Sequence, residues 1–202
     1  MSRTNPYEVV ELFERAIADY TGSPYVVAVD SCTDAMLLAC KIHSVDEVSI
    51  PAHTYVSVPN SIIHAGGSVV FRDQQWRGGY QLQPYPIWDC AKRFTSGMYQ
   101  AGQMQCVSFQ YSKILGIGKG GAILTDDADA VEQLRKMRFN GRSAVPLEQD
   151  GYNSLGYNMT MTPEQAARGL SLLFHLPDDN ADQIAENFAD LRQYPVFSSP
   201  AI

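Results

Sequence analysis

The chain has 202 residues, of which 45% are hydrophobic and 18% charged, so its composition is that of a folded globular protein. This composition excludes a disordered, collagen-like or low-complexity chain. The 22 acidic and 15 basic residues give a formal charge of -7, which disfavours a broad, sequence-independent binder of nucleic-acid phosphates.

The remaining global features predict a cytoplasmic protein that makes no use of a membrane. No apolar run approaches the roughly 20 residues of a membrane helix, and residues 1–6 carry no signal-peptide pattern. The cysteines form neither a Cys-x-x-Cys pair nor a Cys/His cluster with zinc spacing, so we expect reduced, buried thiols and no structural metal. These cysteines are Cys32, Cys40, Cys90 and Cys106.

Hydrophobic periodicity predicts helices and strands that alternate along the chain. The predicted helices are 9–20, 35–42, 55–64, 129–138, 163–174 and 182–192. The predicted strands are 25–29, 47–50, 68–71, 86–88, 105–109 and 122–124. Two segments rich in Gly, Pro, Gln and Asn, 74–84 and 141–153, are predicted to be loops. This order favours an α/β fold with a mainly parallel sheet flanked by helices.

Polar residues collect where four of the predicted strands end. These clusters are 30–33, 53–55, 89–92 and 108–113. Open parallel sheets bind their ligands beyond the carboxyl ends of the strands. We therefore expect the functional site at these four turns.

A glycine-rich segment follows the last cluster and imitates a nucleotide-binding fingerprint. Gly116, Gly118 and Gly121 match G-x-G-x-x-G, but that fingerprint must follow a strand and open a helix, whereas this segment precedes a strand. It also fails as a phosphate loop, since Gly120 stands where Ser or Thr is needed. We reject both interpretations.

Two residues in these turns suggest different chemistry when they are considered together. Lys113 alone is more typical of a solvated surface lysine, and Asp89 alone of a helix cap. Pyridoxal phosphate, however, needs a lysine for a Schiff base, an acid beside its ring nitrogen, an aromatic face and a phosphate cup. The chain offers all of these in order, with Tyr55 as the aromatic residue and Ser108 beside the lysine.

At this point the sequence resembles the DegT-type sugar aminotransferases, a branch of the fold type I pyridoxal phosphate enzymes. The resemblance runs from about Tyr7 to Leu173, with the family's motifs in the family's order. The matching segments are 28–39 (AVDSCTDAMLLA), 46–62 (DEVSIPAHTYVSVPNSI), 87–91 (IWDCA), 108–127 (SFQYSKILGIGKGGAILTDD) and 155–167 (LGYNMTMTPEQAA). It implies the large domain of the fold type I enzymes.

The resemblance assigns the chemistry to two residues and the aromatic contact to a third. Lys113 would hold the cofactor as a Schiff base and then move the proton at the reacting carbon. Asp89 would pair with the pyridinium nitrogen, which keeps the ring an electron acceptor. Tyr55 would stack on the ring.

The remaining cofactor contacts are implied in the same way. Backbone N–H groups of Cys32 and Thr33, with the hydroxyls of Thr33 and Ser108, would bind the phosphate at a helix N-terminus. Lys92 would lie near the phenolic oxygen of the cofactor. Asn158 would reach the phosphate of a neighbouring subunit, which implies a homodimer.

Four departures separate this chain from the family pattern. Cys32 replaces a glycine, Lys92 stands where Gln or His is common, and Lys119 replaces a glutamate. The chain is also shorter than the family's members, so we expect one cofactor-binding domain over residues 1–202. In that arrangement, residues 175–202 are a residual C-terminal helix and tail in place of the small domain.

The sequence therefore predicts a pyridoxal phosphate-dependent aminotransferase. It would transfer an amino group from an amino acid such as glutamate to a keto sugar, most plausibly a nucleotide-linked one. Two alternatives stay open. The chain could be a degenerate family member that binds the cofactor without turnover, or a pyridoxal phosphate enzyme of another reaction type, such as a decarboxylase or eliminase acting on a modified metabolite or nucleotide.

Overall fold

The computed structural model describes residues 5, 7–184 and 187–197, and within them the chain forms five α-helices and seven β-strands. The helices are α1 (Glu8–Thr21), α2 (Cys32–Ile42), α3 (Ser57–Ala65), α4 (Ala128–Arg138) and α5 (Pro163–Leu173). The strands are β1 (Tyr25–Val29), β2 (Glu47–Pro51), β3 (Ser68–Arg72), β4 (Tyr80–Leu82), β5 (Ile87–Asp89), β6 (Met104–Ser108) and β7 (Gly121–Thr125). Apart from the predicted helix 182–192, each predicted helix and strand has a counterpart here.

The strands form a five-stranded sheet in the order β1-β7-β6-β5-β4 and a separate pair, β2-β3. Because β7 is antiparallel to both β1 and β6, and β5 is parallel to β6, strands β1, β5 and β6 point the same way. The parallel pair β2-β3 shares that direction, since Ser49 in β2 bridges Gln83 in antiparallel fashion and β4 is antiparallel to β5.

The predicted α/β class is confirmed, and the predicted parallel character holds for strand direction. Five of the seven strands in the described residues run together, while β4 and β7 oppose them. The pairing pattern is consequently mixed. Two strand pairs, β2-β3 and β5-β6, are parallel, and three are antiparallel.

Alternate residues of the central strands face two hydrophobic cores, one on each side of the sheet. In β1, Val27 and Val29 belong to the core beneath α2 and α3, whereas Val26 and Ala28 belong to the core beneath α1 and α5. Strands β6 and β7 are buried over their whole length. Burial on both faces accounts for the apolar pair at the centre of β6, Cys106–Val107, and the apolar triplet at the centre of β7, Ala122–Leu124.

The outer edge of β1 is bonded by neighbouring elements. The backbone N–H of Ala28 donates to Glu14 Oε1 of α1 at 2.9 Å, and its carbonyl accepts from Arg138 of α4. The N–H of Asp30 donates to the Met159 carbonyl at 3.0 Å. Glu14 is only 3% exposed and also pairs with Arg138. This bonding protects the strand edge and attaches α1 and α4 to the sheet.

Two predictions of secondary structure were wrong, one for a loop and one for a helix. Strand β4 lies inside the segment 74–84, which was predicted to be a loop. The strand has only three residues, which are too few to show a period of two. No α-helix forms over the described residues of the predicted helix 182–192. Its described residues are extended, bridging Arg77 and His53, and end in a 3-10 turn at Leu191–Gln193.

Some predictions fall outside the described residues. Positions 185–186 of that predicted helix do so, as do residues 1–4 and 6 of the N-terminal segment and the last five residues of the tail. All four cysteines are buried free thiols, as predicted. In the part of the chain that the structure describes, no helix is long and apolar enough to cross a bilayer, and no cluster of His, Cys, Asp and Glu could hold a metal ion.

Candidate functional site

The strand ends that carry the predicted site residues lie at one edge of the molecule. Asp89 is the last residue of β5 and Ser108 the last of β6, while Cys32 begins the helix that follows β1. Because β1, β5 and β6 run in the same direction, these ends meet at a common edge.

Asp89 is a carboxyl held almost out of solvent at this edge. It is 3% exposed, and its Oδ1 accepts a hydrogen bond from the N–H of Ala91 at 2.9 Å. Burial raises its pKa, and the Ala91 N–H, the Tyr80 hydroxyl and the charge of Lys113 lower it in part. Burial is therefore the dominant influence on this carboxyl, and a positive partner would stabilise its charged form.

Two buried hydroxyls that the sequence did not indicate are linked to each other and to the Asp89 carboxyl. The Tyr80 hydroxyl interacts with Asp89 and lies 2.6 Å from Thr54 Oγ1. Both are buried, with Tyr80 1% and Thr54 2% exposed. Thr54 stood in a polar cluster but was not selected, and Tyr80 fell in a segment predicted as a loop. The pairing of β4 with β5 brings Tyr80 to Asp89, and the hydrogen bond with Tyr80 brings Thr54 to the same place.

Cys32 occupies the first turn of α2, where backbone N–H groups point out of the helix. Ser31 caps this helix by accepting from the N–H of Asp34 at 3.1 Å. Burial raises the pKa of the Cys32 thiol well above its usual value, Asp89 raises it further, and Lys113 lowers it. The three residues therefore share one electrostatic neighbourhood, with α2 directing the positive end of its dipole into it.

Close backbone packing fixes the start of α2 against the sheet. Ser108 pairs with Gly121 across the β6-β7 ladder. A Cβ atom on Gly121 would lie 2.5 Å from the backbone nitrogen of Cys32, so only glycine allows this approach. Ser108, 8% exposed, is thereby held close to the first turn of α2.

Lys113 lies in a turn that leaves β6 and returns to β7. Its N–H donates to the Gln110 carbonyl at 2.9 Å, and the N–H of Phe109 donates to the Gly120 carbonyl at 2.9 Å. Gly118 and Gly120 adopt φ values of 109° and 148°, which non-glycine residues rarely reach. The glycine-rich segment that imitated a nucleotide fingerprint therefore shapes the turn that presents Lys113.

The other predicted residues lie around this centre. The Thr33 carbonyl accepts from Ser61 Oγ at 3.1 Å, which ties the first turn of α2 to α3. Lys92 is 7% exposed, and its N–H donates to the Gly78 carbonyl at 3.2 Å. Tyr55 is 58% exposed.

Asn158 is exposed on the outer side of β1. It is bridged to Phe139 at the end of α4, and its neighbour Met159 bonds to Asp30. Lys119, the third departure in the motifs, forms an ion pair with Asp30 and so lies beside the cap of α2. The structure thus brings Cys32, Asp89 and Lys113 together and leaves Tyr55 and Asn158 on exposed margins.

Comparison with known proteins gives relatives for nearly the whole chain. The sequence profile of the DegT/DnrJ/EryC1/StrS aminotransferase family matches residues 2–98 and 86–194. The spore coat polysaccharide biosynthesis protein SpsC of Bacillus subtilis is 27% identical over 84% of this chain and 57% of its own length. GDP-perosamine synthase of Caulobacter vibrioides is 27% identical over 80% of this chain and 55% of its own length.

The chain therefore spans little more than half the length of these curated relatives. The SpsC alignment has 224 positions but covers 84% of the 202-residue chain, or about 170 residues. Relatives such as SpsC consequently contain segments inside the matched region that have no counterpart here.

Solved structures share the fold. AtS13 from Actinomadura melliaura superposes with a TM-score of 0.75 at 22% identity, covering 83% of this chain and 60% of its own. The sugar aminotransferase CalS13 from Micromonospora echinospora gives 0.73 at 19% identity, covering 84% and 61%. With a family profile that matches from residue 2 to residue 194, the chain belongs to the DegT/DnrJ/EryC1/StrS aminotransferase family.

Proposed function

We propose that this chain binds pyridoxal phosphate and transfers an amino group from an amino acid such as glutamate to the keto group of a nucleotide-linked sugar. One observation carries the proposal. A lysine, a buried carboxyl and the first turn of a helix share one electrostatic neighbourhood, formed by Lys113, Asp89 and Cys32. The names of relatives support the substrate class, because they include GDP-perosamine synthase and UDP-N-acetyl-3-dehydro-alpha-D-glucosamine 3-aminotransferase.

The residues at this edge fit the cofactor. When bound, pyridoxal phosphate supplies an aldehyde that bonds to an amine and a ring that takes up the electron pair released at the neighbouring carbon. Burial opposes the ionisation of Asp89 and is the largest influence on its pKa, and a protonated ring nitrogen would be a positive partner that compensates. The first turn of α2 presents backbone N–H groups that would bind a phosphate.

Each residue then has a definite task. The Lys113 amine would bond to the aldehyde and, once displaced by the amino donor, carry the proton between carbon atoms. Asp89 would hold the proton on the ring nitrogen. The N–H groups of Cys32 and Thr33, with the hydroxyls of Thr33 and Ser108, would bind the phosphate.

Three further residues complete the proposed site. Tyr55 would cover the face of the ring, and Lys92 would donate to its phenolic oxygen. Because Asn158 is exposed and is bridged to Phe139 at the end of α4, we propose that it serves a second copy of the chain in a homodimer. Four free thiols fit a reducing cytoplasm as the site of action, and the five-stranded sheet, which includes both β1 and β7, fits a single cofactor-binding domain.

Absorbance spectroscopy of the purified chain with added pyridoxal phosphate tests the proposal. We expect the wild type and the Lys41→Ala control to develop the visible band of a lysine-bound cofactor, and Lys113→Ala to show free cofactor only. Adding L-glutamate should then remove that band. A wild-type spectrum identical to that of free cofactor would contradict the proposal.

The response of the absorbance band to L-glutamate also separates the two alternative functions. A band that glutamate leaves unchanged would indicate a family member that binds the cofactor without turnover. If the band responds but mass spectrometry finds no amino sugar from a nucleotide-linked keto sugar, the chain performs another pyridoxal phosphate reaction, such as decarboxylation or elimination.

A further inference from the structure

A part of the tail bonds to the loops and the turn that carry proposed site residues. We call it the strap and define it as residues 182–184 and 187–191. It is antiparallel-bridged to Arg77 through Ile184 and to His53 through Asp190. Its bonds reach the loop after β2, the loop after β5 and the turn that presents Lys113, so it touches three of the segments that carry proposed site residues.

An ion pair anchors the start of the strap. The Asp182 carboxylate accepts from Arg93 Nε at 2.9 Å and from Arg93 Nη2 at 2.6 Å. Its carbonyl accepts from Arg77 Nε at 3.2 Å. A Cβ on Gly78 would lie 2.2 Å from the Asp182 carboxylate, so a glycine is needed beneath this anchor.

Gln183 joins two halves of the site. Its N–H donates to the Lys92 carbonyl at 2.9 Å, and its carbonyl accepts from the N–H of Gly78 at 3.3 Å. Its side-chain Nε2 donates to the carbonyl of Ser112, the neighbour of Lys113, at 3.0 Å. One residue therefore links the loop after Asp89 to the lysine turn.

The side-chain oxygen of Gln183 is a buried acceptor beside the lysine turn. Oε1 is buried and has no hydrogen-bond partner within the described residues. A buried acceptor without a donor is unfavourable, and such groups in folded proteins usually have an explanation. A hydroxyl or N–H group of a substrate bound beside the lysine turn would satisfy it.

The far end of the strap is held by aromatic contacts. The ring of Phe188 stacks on Trp76, with centroids 6.1 Å apart and planes 8° apart. It also lies 6.3 Å from the ring of Tyr55, and its carbonyl is 3.0 Å from His53 Nδ1. The N–H of Leu191 donates to the Ala52 carbonyl at 3.0 Å.

We propose that the strap is the substrate-side wall of the site, in which Gln183 positions the lysine turn and Phe188 with Tyr55 limits access to Lys113. This inference rests on the proposed function, because it names the wall of that same site. The bonds of the strap join the turn of Lys113 to the loops after β5 and β2.

Chemical acetylation of the purified full chain, mapped by peptide mass spectrometry, tests the wall without requiring the cofactor. The measured quantity is the rate of modification of Lys113 relative to Lys119, whose side chain is 63% exposed. We expect Phe188→Ala and Asp182→Asn each to raise this ratio on the order of tenfold, since each removes one anchor of the strap.

The matched control is Phe174→Ala, because Phe174 is an 85% exposed phenylalanine after α5 and outside the strap. A ratio that stays unchanged in both strap variants, or that rises equally in the control, would overturn the inference. Thermal unfolding of each variant identifies any that has lost its fold. If Phe188→Ala is unfolded, the acetylation ratio of Asp182→Asn decides the test.

Addition of pyridoxal phosphate to the same samples separates the two proposals. A wild type without the visible band would contradict the proposed function. The acetylation ratio would still show whether the strap limits access to Lys113. For Gln183 we expect Gln183→Ala to shift the pH at which the lysine-bound cofactor changes colour, and Gln183→Asn to restore it in part. An unchanged colour transition would contradict its positioning role.

Discussion

The two sides of the candidate site are built in different ways. On one side, Cys32, Ser108 and Lys113 are held by strand pairing, helix capping and glycines that let backbones touch. On the other, the wall around Tyr55 is held by the ion pair of Asp182 with Arg93, by stacked rings and by a few long-range hydrogen bonds. The difference indicates that the groups proposed for the chemistry lie on a rigid frame, while the groups that would meet the substrate lie on a lightly attached one.

Substitution of Glu14 should show how costly it is to disturb the rigid side. Glu14 is buried, bonds to the N–H of Ala28 and pairs with Arg138 at the edge of β1. Glu14→Gln should lower the free energy of unfolding by about 3–5 kcal/mol, because it leaves the Arg138 charge without its partner. Urea denaturation measures this. Glu11→Gln, exposed one turn earlier in α1, should change it by under about 0.5 kcal/mol.

Gly121 tests the close packing between β7 and α2. Gly121→Ala places a Cβ 2.5 Å from the backbone nitrogen of Cys32, so the start of α2 must move. We expect a loss of about 1–3 kcal/mol and weaker cofactor binding. Gly151→Ala is the control, since nothing lies within 4 Å of that position. Equal stability of the two variants would show that the first turn of α2 is not held by this contact.

Substitution of Asp89 should raise the stability of the cofactor-free protein, whereas substitution of Glu14 or Gly121 should lower it. Because burial raises the pKa of this carboxyl in the folded chain, folding takes up protons between the unfolded and folded pKa values. The cofactor-free protein should therefore lose stability from this group as pH rises through the folded pKa. Asp89→Asn should melt at a higher temperature than the wild type at neutral pH.

The advantage of Asp89→Asn should shrink as the solution is acidified below the folded pKa, since the wild-type carboxyl is then also neutral. Thermal unfolding followed by circular dichroism, at neutral pH and at a pH below the folded pKa, measures the difference in melting temperature between wild type and variant. Added pyridoxal phosphate should stabilise the wild type more than the variant. A variant that is less stable at neutral pH would show that the ionised carboxyl already has its compensation in the protein.

The strap should contribute least to global stability. Phe188→Ala removes two ring contacts at the surface, so we expect a loss of under about 1.5 kcal/mol. Urea denaturation of this variant beside Phe174→Ala measures the loss. A cost as large as that of Glu14→Gln would mean that the strap is part of the core and would remove the contrast between the two sides.

Regular elements were predictable because burial leaves short apolar runs in the central strands and an apolar stripe of helical period in the helices. Strands β1, β6 and β7 are buried on both faces, and α1 turns its apolar stripe with Phe13 and Ile17 toward the sheet. The tail was not predictable. Its polar sequence suits a helix locally, but the contacts of Asp182 with Arg93 and of Phe188 with Trp76 join residues far apart in the chain.

The same distinction separates the parts of the site. Lys113, Asp89 and Cys32 follow strands that point the same way, so their proximity follows from the order of elements. Tyr80 and Gln183 reach the site from segments without a local signal. Their position depends on the pairing of β4 with β5 and on hydrogen bonds to Ser112 and Lys92.

The central claim is that this edge binds pyridoxal phosphate through Lys113. Borohydride reduction of the wild type with added cofactor, followed by peptide mapping, tests it most directly. We predict one labelled peptide, with the label on Lys113, and no labelled peptide in Lys113→Ala. Labelling of Lys92 or Lys119 in place of Lys113, or no labelling of the wild type at all, would contradict the account.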